Sequence, residues 1–288
     1  MYVMAHAKIN LCLEVLGRRV DGYHDIATVI HAVELADCLT IEPADSIYFT
    51  CEPALALGDD NLVIRAARLL QEHTHTNNGA ALHLKKRIPV AAGLGGGSSD
   101  AAAALLGLSK YWELGLSQVE LYQLGLRLGS DVPFFLKGGC ALAEGRGIEL
   151  TPLPSVTNWW TVMLCPTAHI DSKTAFMYGL LSNQDYTDGT WAQAVAGKLK
   201  EKTLMIHDVG VAANTFERVE SQIFSKFSQY RSAFLGAGAP FVKLAGSGPS
   251  LFTLVDSREA AEQIAGHLRG LGVELFIAKL VGRSGLTS

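Results

Sequence analysis

Apolar residues follow two different spacings along the chain, and the first of them predicts strands. Near the N-terminus the run 4–16 partly alternates between apolar and polar side chains, and the runs 32–43 and 46–53 do so between Pro and Asp residues. Residues 81–90 repeat this spacing farther along the chain. Alternation over short runs bounded by turn residues is typical of strands, so an early sheet is predicted.

The second spacing predicts helices. Over 60–73 apolar residues recur every three or four positions, which favours a helix with Asp59 or Asp60 as its N-cap. The later segment SQVELYQLGLRLG opens with Ser117 and has Glu120 three residues on. A Ser followed at this distance by Glu is a capping box, so a second helix is predicted to begin here.

A change in composition divides the chain near its middle. The segment TPLPSVTNWW at 151–160 contains two prolines and a polar tail, as linkers between domains often do. The sequence therefore predicts an N-terminal domain of residues 1–155 and a C-terminal domain of residues 156–288.

The second half of the chain alternates between strand and helix patterns. Residues 161–166 and 273–280 have the pattern of buried strands, and 214–235 and 258–272 have that of helices. The polar tract 182–203 is predicted to be a variable surface excursion. Helices that cross an antiparallel sheet place the protein in the α+β class.

Composition and charge narrow the classes of partner. Apolar residues make up 49% of the 288 residues and charged ones 18%, which is typical of a packed globular protein. The formal net charge of -4 favours neither a nucleic-acid partner nor a membrane surface. The five cysteines lack the paired spacing of a zinc site or a disulfide framework, and no long apolar run or leader pattern is evident. A soluble, cytoplasmic protein is expected, with its oligomeric state left open.

The chemistry is concentrated in residues 88–100, IPVAAGLGGGSSD, which precede an Ala/Leu-rich helical pattern. Glycines let a ligand approach the backbone, and a loop that leads into a helix presents unpaired N–H groups to an anion. Ser98, Ser99 and Asp100 are predicted to cap that helix. The loop lacks the Lys of a Walker motif and the strand arrangement of a dinucleotide site. A nucleoside triphosphate with Mg²⁺ fits it, and a flexible strand-to-helix turn is the alternative.

Three segments together resemble one enzyme superfamily. P-x-x-x-G-L-G-G-G-S-S-D-A-A is similar to the ATP-binding motif of the galactokinase, homoserine kinase, mevalonate kinase and phosphomevalonate kinase (GHMP kinase) superfamily. The runs AKINL at 7–11 and AGSGPS at 245–250 resemble its first and third motifs. The resemblance spans nearly the whole chain. It implies a two-domain α+β fold, with an N-terminal domain like the second domain of ribosomal protein S5 and a ferredoxin-like C-terminal domain.

Further segments narrow the resemblance within the superfamily. AKINLCLEVLGRRVDGYH at 7–24 and GSDVPFF at 129–135 resemble the branch that phosphorylates 4-diphosphocytidyl-2-C-methyl-D-erythritol, in the non-mevalonate route to isoprenoids. The A-P-G-R or A-P-G-K start of galactokinase and mevalonate kinase is absent. This resemblance implies a small-molecule substrate that carries a cytidine diphosphate, with ATP and its Mg²⁺ as the phosphoryl donor.

The resemblance also implies a catalytic pair. Asp131 would accept or orient the proton of the acceptor hydroxyl, and Lys8 would keep Asp131 ionised and stabilise the developing charge. From residue type alone, a helix N-cap is the favoured role for Asp131 before Val-Pro. Lys8 is a strand lysine that needs a partner if it is buried.

The remaining site residues follow from the same motifs. Tyr23 and His24 would bind the cytosine by stacking and hydrogen bonding, although an ordinary Asp-Gly turn explains them as well. Asn10, Gly246 and Ser247 would contact the substrate. The nucleotide would be bound by Pro89, Ala91, Gly93, Leu94, Gly95, Gly96, Gly97, Ser98 and Ser99.

Two other patterns are assigned no role in the reaction. His73 and His75 invite a metal hypothesis, but a solvated helix end explains them, and no metal site formed by protein side chains is predicted. The run from Lys85 to Arg87 could assist the nucleotide phosphates or coat a sheet edge with charge, and the second interpretation is favoured.

The chain departs from its relatives at two places and leaves two rival functions open. Glu149 stands one position later than the usual carboxylate, and Thr215 stands where Asp is common; both are interpreted as changes in packing or supporting groups. A kinase for another alcohol, such as homoserine or a mevalonate derivative, is one rival. A binding or RNA-binding protein that kept the fold without turnover is the other.

Overall fold

The computed structural model describes residues 1–54, 60–167 and 173–283. The chain forms two compact units, each assembled from several segments. Unit 1 comprises Met1–Ala7, Ala36–Val90 and Gly95–Gly138, and unit 2 comprises Lys8–Leu35, Ala91–Leu94 and the residues from Gly139 onward. Both helices and strands are abundant, and the predicted α+β class is confirmed. The predicted domain boundary near residue 155 stays a prediction.

Within the described residues of its first half, the chain contains six strands and four α-helices. Its strands are β1 (Tyr2–Arg18), β2 (His24–Glu42), β3 (Ile47–Glu52), β4 (Ala80–Lys85), β5 (Cys140–Gly145) and β6 (Glu149–Leu153). Its helices are α1 (Leu62–Thr74), α2 (Gly96–Tyr111), α3 (Gln118–Leu128) and α4 (Val132–Lys137).

The second half contains four strands and five α-helices among the described residues. Its strands are β7 (Trp160–Cys165), β8 (Lys243–Leu244), β9 (Leu251–Val255) and β10 (Glu274–Lys279). Its helices are α5 (Lys173–Gly179), α6 (Thr190–Glu201), α7 (Ile206–Val211), α8 (Phe227–Gly236) and α9 (Arg258–Leu268). Short 3₁₀ turns lie at Thr215–Arg218, Glu220–Gln222 and Arg269–Leu271.

Unit 1 packs four helices on a small sheet. Strand β4 pairs with β3 in parallel and with residues 38–42 of β2 in antiparallel. Its buried positions alternate, so Ala80, Leu82 and Leu84 face the core. Helix α2 is alanine-rich and lies close to the strands: a Cβ added at Gly107 would come within 2.6 Å of Ile41 Cδ1. Small residues on α2 therefore allow the helix to approach the sheet.

Unit 2 is organised around a four-stranded antiparallel sheet in the order β10-β7-β9-β8. All five residues of β9 are buried, and α9 covers the sheet through an apolar face. Residues 26–31 of β2 pair with β5, which in turn pairs with β6. The long strands β1 and β2 thus contribute residues to both units.

Two expectations for the second half are wrong. The tract 182–203 contains helix α6, which buries Ala192, Val195, Ala196 and Leu199 at helical spacing, so it is not a surface excursion throughout. Residues 214–235 do not form one helix: 3₁₀ turns precede α8. The apolar spacing of three between Phe216 and Val219 suits a 3₁₀ turn as well as an α-helix.

The N-cap expected for α1 also differs. Asn61 takes that position, and its side chain accepts a hydrogen bond from the N–H of Val63. Asp60 therefore does not cap the helix, and Asp59 lies outside the described residues. The capping box of α3 is confirmed, since Ser117 and Glu120 satisfy each other's backbone N–H groups. No helix within the described ranges is long and apolar enough to cross a membrane.

Candidate active site

The glycine stretch forms a loop between β4 and α2, and left-handed backbone conformations shape it. The φ angles of Ala91, Gly93 and Gly95 are 56°, 84° and 74°. Gly95 is the N-cap of α2 and makes no side-chain capping bond. The expectation that a helix begins on this loop is confirmed.

The residues expected to cap α2 lie elsewhere. Ser98, Ser99 and Asp100 are inside the first turns of the helix, because the chain enters it one turn earlier through Gly95. Their expected capping role is therefore wrong. The hydroxyls of Ser98 and Ser99 instead lie on the first turns of a helix whose N-terminus favours negative charge.

A buried ionic cluster in unit 1 supports the start of the loop. Lys86 Nζ donates to Asp37 and, at 2.7 Å, to Asp100. Asp37 Oδ1 also accepts from the backbone N–H of Ile88 at 2.8 Å. Burial raises the pKa of Asp100 to about 7 against the opposing effect of the Lys86 ammonium.

The assignment of the basic run to a sheet edge is wrong for Lys86. Its side chain is only 7% exposed, and its Nζ lies 3.2 Å from where a Cβ on Gly96 would stand. Lys86 is therefore buried beneath the glycine loop. Because burying an unpaired charge is costly, it is paired there with Asp37 and Asp100.

Within unit 2, the segment 91–94 packs against the second glycine-rich loop, residues 245–250. The N–H of Ser250 donates to Ala92 O at 3.2 Å. A Cβ at Gly93 would stand 2.2 Å from Ala245 O and 2.8 Å from Gly248 O. Position 93 therefore needs glycine both for its φ angle and for this close contact between backbones.

Lys8 is buried on β1 and directed by a chain of polar side chains. Its Nζ donates to Asn10 Oδ1 at 2.8 Å, and Asn10 Nδ2 donates to Thr28 Oγ1 at 2.8 Å. Thr28 completes the chain by donating to Cys12 O. Residues 8 and 10 share one face of the strand because side chains alternate with period two. Asn10 therefore fixes the position of the Lys8 ammonium.

The same ammonium lies beside both glycine-rich segments of unit 2. The backbone N–H of Lys8 donates to Leu94 O at 3.0 Å. A Cβ at Gly246 would stand 3.1 Å from both Lys8 Nζ and Gly93 O. The structure thus brings together Lys8, Asn10, Gly93 and Gly246.

Asp131 belongs to unit 1 and takes the N-cap position of α4. Its side chain makes no capping hydrogen bond, although Pro133 follows at the start of the helix. The alternative in which the carboxylate serves to cap the helix is therefore not what the structure shows. The carboxylate is half-buried and not committed to the helix end.

Tyr23 and His24 lie in an aromatic and cationic environment within unit 2. The guanidinium of Arg146 lies 3.5 Å from the centre of the Tyr23 ring, which is itself 55% exposed. The His24 ring stacks on Tyr178 at 4.7 Å and approaches the edge of Tyr186. Burial and the nearby charge of Arg18 lower the pKa of His24, which favours the neutral imidazole.

Several of these neighbours were missed by sequence reasoning. Arg146, Tyr178 and Tyr186 stand more than 120 residues from their partners, and no local pattern marks them. Lys173 was missed as well: it is buried at the start of α5 and donates to Ala91 O at 2.8 Å. The adjacent Thr174 bonds Ser247 through their hydroxyls at 3.2 Å.

Of the two departures from the family pattern, Glu149 is exposed on β6 opposite Glu144, and Thr215 has a packing role. Thr215 Oγ1 accepts from the N–H of Val15, and Asn214 Nδ2 donates to the carbonyls of Leu244 and Gly246. Across the described ranges, no group of three or more His, Cys, Asp or Glu side chains is arranged to hold a metal ion.

Comparison with known proteins matches both halves of the chain to one family. The model for the N-terminal domain of GHMP kinases matches residues 61–139, and that for the C-terminal domain matches residues 205–273. A 4-diphosphocytidyl-2-C-methyl-D-erythritol kinase from Dehalococcoides mccartyi is 39% identical over 97% of this chain and 98% of its own length. A protein of the same name from Gloeobacter violaceus is 39% identical over 96% and 92%.

Solved structures give the same result at the level of the fold. A crystal structure of a 4-(cytidine 5'-diphospho)-2C-methyl-D-erythritol kinase matches with a TM-score of 0.85 and 33% identity, covering 98% of this chain and all of that one. A homoserine kinase from Cytophaga hutchinsonii matches with a TM-score of 0.71 at 18% identity, covering 98% of this chain and 95% of that one. The second likeness shows the shared fold alone.

Proposed function

Because this chain belongs to the GHMP kinases, and within them to the 4-diphosphocytidyl-2-C-methyl-D-erythritol kinases, we propose that it transfers the γ-phosphoryl group of ATP to the 2-hydroxyl of 4-diphosphocytidyl-2-C-methyl-D-erythritol. The products are the 2-phosphate of that substrate and ADP. The reaction belongs to the non-mevalonate route to isoprenoid precursors, and we place it in the cytoplasm, in keeping with five free cysteines.

One observation carries the proposal: the Lys8 ammonium is buried, fixed by Asn10, and set beside both glycine-rich segments. Phosphoryl transfer requires positioning and the neutralisation of spread-out negative charge more than covalent chemistry. A fixed cation neutralises this charge, and the glycine loop beside it lets a phosphate approach the backbone closely and so be positioned.

Asp131 is proposed as the group that orients the acceptor hydroxyl and takes its proton. A bond forms between the substrate's 2-oxygen and the γ-phosphorus, while the bond from that phosphorus to the β,γ-bridging oxygen breaks. The proton passes to the carboxylate and then to solvent, and ADP carries away the bridging oxygen. The Lys8 ammonium stabilises the negative charge that develops on the transferred phosphoryl group.

The nucleotide is proposed to bind through the backbone N–H groups of 93–97 and the hydroxyls of Ser98 and Ser99, with Pro89, Ala91 and Leu94 lining the loop. Helix α2 directs its positive end to the phosphates. Mg²⁺ would enter with the nucleotide as a counter-ion of its phosphates, since it keeps several waters and needs few protein ligands.

The cytidine is proposed to bind at Tyr23 and His24. The exposed Tyr23 ring offers a stacking face, and the neutral imidazole of His24 can both donate and accept hydrogen bonds with a pyrimidine edge. Asn10, Gly246 and Ser247 are proposed to contact the substrate near the transfer point.

A coupled ADP-release assay tests the function. Purified protein with ATP and Mg²⁺ is offered the cytidylated acceptor, free methylerythritol, mevalonate and homoserine in turn. Turnover only with the cytidylated acceptor is expected. Turnover with another alcohol would change the assigned substrate but not the assignment as a kinase. An absence of ADP release with all four acceptors would favour a protein without catalytic turnover.

A further inference from the structure

Lys173 is a buried cation that the proposed reaction does not yet use. Lys173 is only 6% exposed. One of the three N–H donors of its ammonium bonds the neutral carbonyl of Ala91 at 2.8 Å. The charged group that affects the pKa of Lys173 is another lysine, Lys8. Burial, reinforced by that like charge, lowers the pKa of Lys173 to about 8.

Two other lysines with buried side chains, Lys86 and Lys243, are paired with carboxylates. Lys86 donates to two carboxylates, and Lys243 donates to Glu217 at 2.9 Å. Both therefore have the partner that a buried ammonium requires. Lys173 instead bonds a neutral carbonyl, and the positive charge of Lys8 helps to lower its pKa, so an anion would stabilise this ammonium.

The position of Lys173 indicates which anion. Ala91 and Leu94 are the two ends of the segment that unit 2 contributes to the glycine stretch. The Lys173 ammonium donates to the carbonyl of Ala91, and the backbone N–H of Lys8 donates to the carbonyl of Leu94. Thr174, the next residue of α5, reaches the other glycine-rich loop through Ser247. The start of α5 therefore contacts both loops between which Lys8 is held.

We propose that Lys173 is a second nucleotide-binding lysine, whose ammonium binds an oxygen of the terminal phosphate of ATP while it also supports the carbonyl of Ala91. The inference rests on the proposed function, because it assumes that the loop binds ATP. A phosphate oxygen between Lys8 and Lys173 replaces the repulsion of two ammonium groups by attraction to a common anion.

Calorimetric titration with Mg²⁺ and either ADP or a non-hydrolysable ATP analogue, without acceptor, tests this inference. A hydrogen bond from a charged donor to phosphate supports an expected loss of about 10- to 100-fold in affinity for the analogue in Lys173→Met. Affinity for ADP should change by less than about 3-fold. Lys200→Met, which removes the same charge from an exposed position on α6, should bind both nucleotides as the wild type does.

Two further variants separate charge from support of the loop. Lys173→Gln keeps an N–H donor for Ala91 without the charge and should bind the analogue as weakly as Lys173→Met. Lys173→Arg keeps the charge and should recover much of the affinity. Recovery by Gln would reduce Lys173 to a support of the loop and overturn the proposal, as would equal weakening of both nucleotides.

Stability provides the remaining control. Removing a buried charge that lacks a carboxylate should leave the melting temperature of the free protein unchanged or raise it. If Lys173→Met fails to fold, the Gln and Arg variants decide the matter. Failure of wild-type protein to bind nucleotide would overturn the proposed function, whereas wild-type affinity in all the Lys173 variants would overturn this inference alone.

Discussion

Asp131 holds the N-cap position of a helix without making the capping bond. Replacing it with Asn should therefore cost little stability while removing the proposed proton acceptor. We expect Asp131→Asn to lower kcat by roughly two to four powers of ten, the usual contribution of general acid–base groups. Steady-state kinetics with the cytidylated acceptor measure this, and nucleotide affinity should be kept. Turnover near the wild-type rate would remove Asp131 from the mechanism.

Tyr23 is the residue at which substrate choice can be tested. Its exposed ring already carries a guanidinium on one face, which shows that it can take a planar group. We expect Tyr23→Ala to raise the KM for the cytidylated acceptor by about 3- to 10-fold, because the free energy of an aromatic stacking interaction is lost, with a smaller effect on kcat. Tyr23→Phe, which keeps the ring, is the control and should stay near wild type. An unchanged KM in the alanine variant would favour an acceptor without a cytosine.

At the scale of elements, the contact between segment 91–94 and loop 245–250 fixes the shape of the site in unit 2. Gly93→Ala places a methyl group 2.2 Å from a carbonyl oxygen at a φ of 84°. We expect a loss of about 2–4 kcal/mol in the free energy of unfolding, from backbone strain together with overpacking. Chemical denaturation measures the change.

Gly115→Ala is the matched control for that substitution. Gly115 has a φ of 66°, but a Cβ there would meet nothing within 4 Å. Its loss should be about 1 kcal/mol, the cost of the left-handed conformation alone. Equal losses at both positions would show that the contact with Ala245 does not restrict residue 93.

The elements that sequence predicted best are those fixed by neighbouring residues. The capping box of α3 involves positions three apart, so Ser117 and Glu120 alone define it. Helix α6 was missed because its polar face dominates the composition of the tract, and the 3₁₀ turns after Asn214 were missed because their apolar spacing also suits an α-helix.

The residues of the candidate site also fall into two groups, those that local motifs locate and those that only the folded structure brings together. Its glycine loop and Lys8 lie in contiguous motifs and could be located from sequence. Arg146 on Tyr23 and Lys173 on Ala91 depend on contacts between residues distant along the chain. Periodicity carries no information on such pairs, so the structure was needed to find them.

For the molecule as a whole, a buried histidine makes stability depend on pH. His31 is fully buried; its Nδ1 donates to Ala32 O, and its Nε2 accepts from the N–H of Val156. Burial lowers the pKa of His31 to about 4, from an ordinary value of 6.5. The unfolded chain therefore binds a proton more readily than the folded one between these values, and stability falls as the pH falls through this window.

Denaturation curves recorded from pH 7 to pH 4 test that effect. The contribution of His31 to the loss should approach about 3 kcal/mol at the low end. His31→Gln cannot take up the proton, so its stability should fall less steeply over the same range. An equally steep fall in both proteins would assign the acid sensitivity to other groups.

The segmented make-up of the two units has a consequence for synthesis on the ribosome. All three segments of unit 1 have been translated once residue 138 is added, so unit 1 can complete its core early. Residues 8–35 of unit 2 are made near the beginning but pack with strands and helices that follow residue 139. Strand β1, which carries Lys8, can pair with β2 as soon as both have been made, but its contacts with later residues, such as the hydrogen bond from the N–H of Leu13 to Ala213 O, must wait through more than a hundred residues of translation.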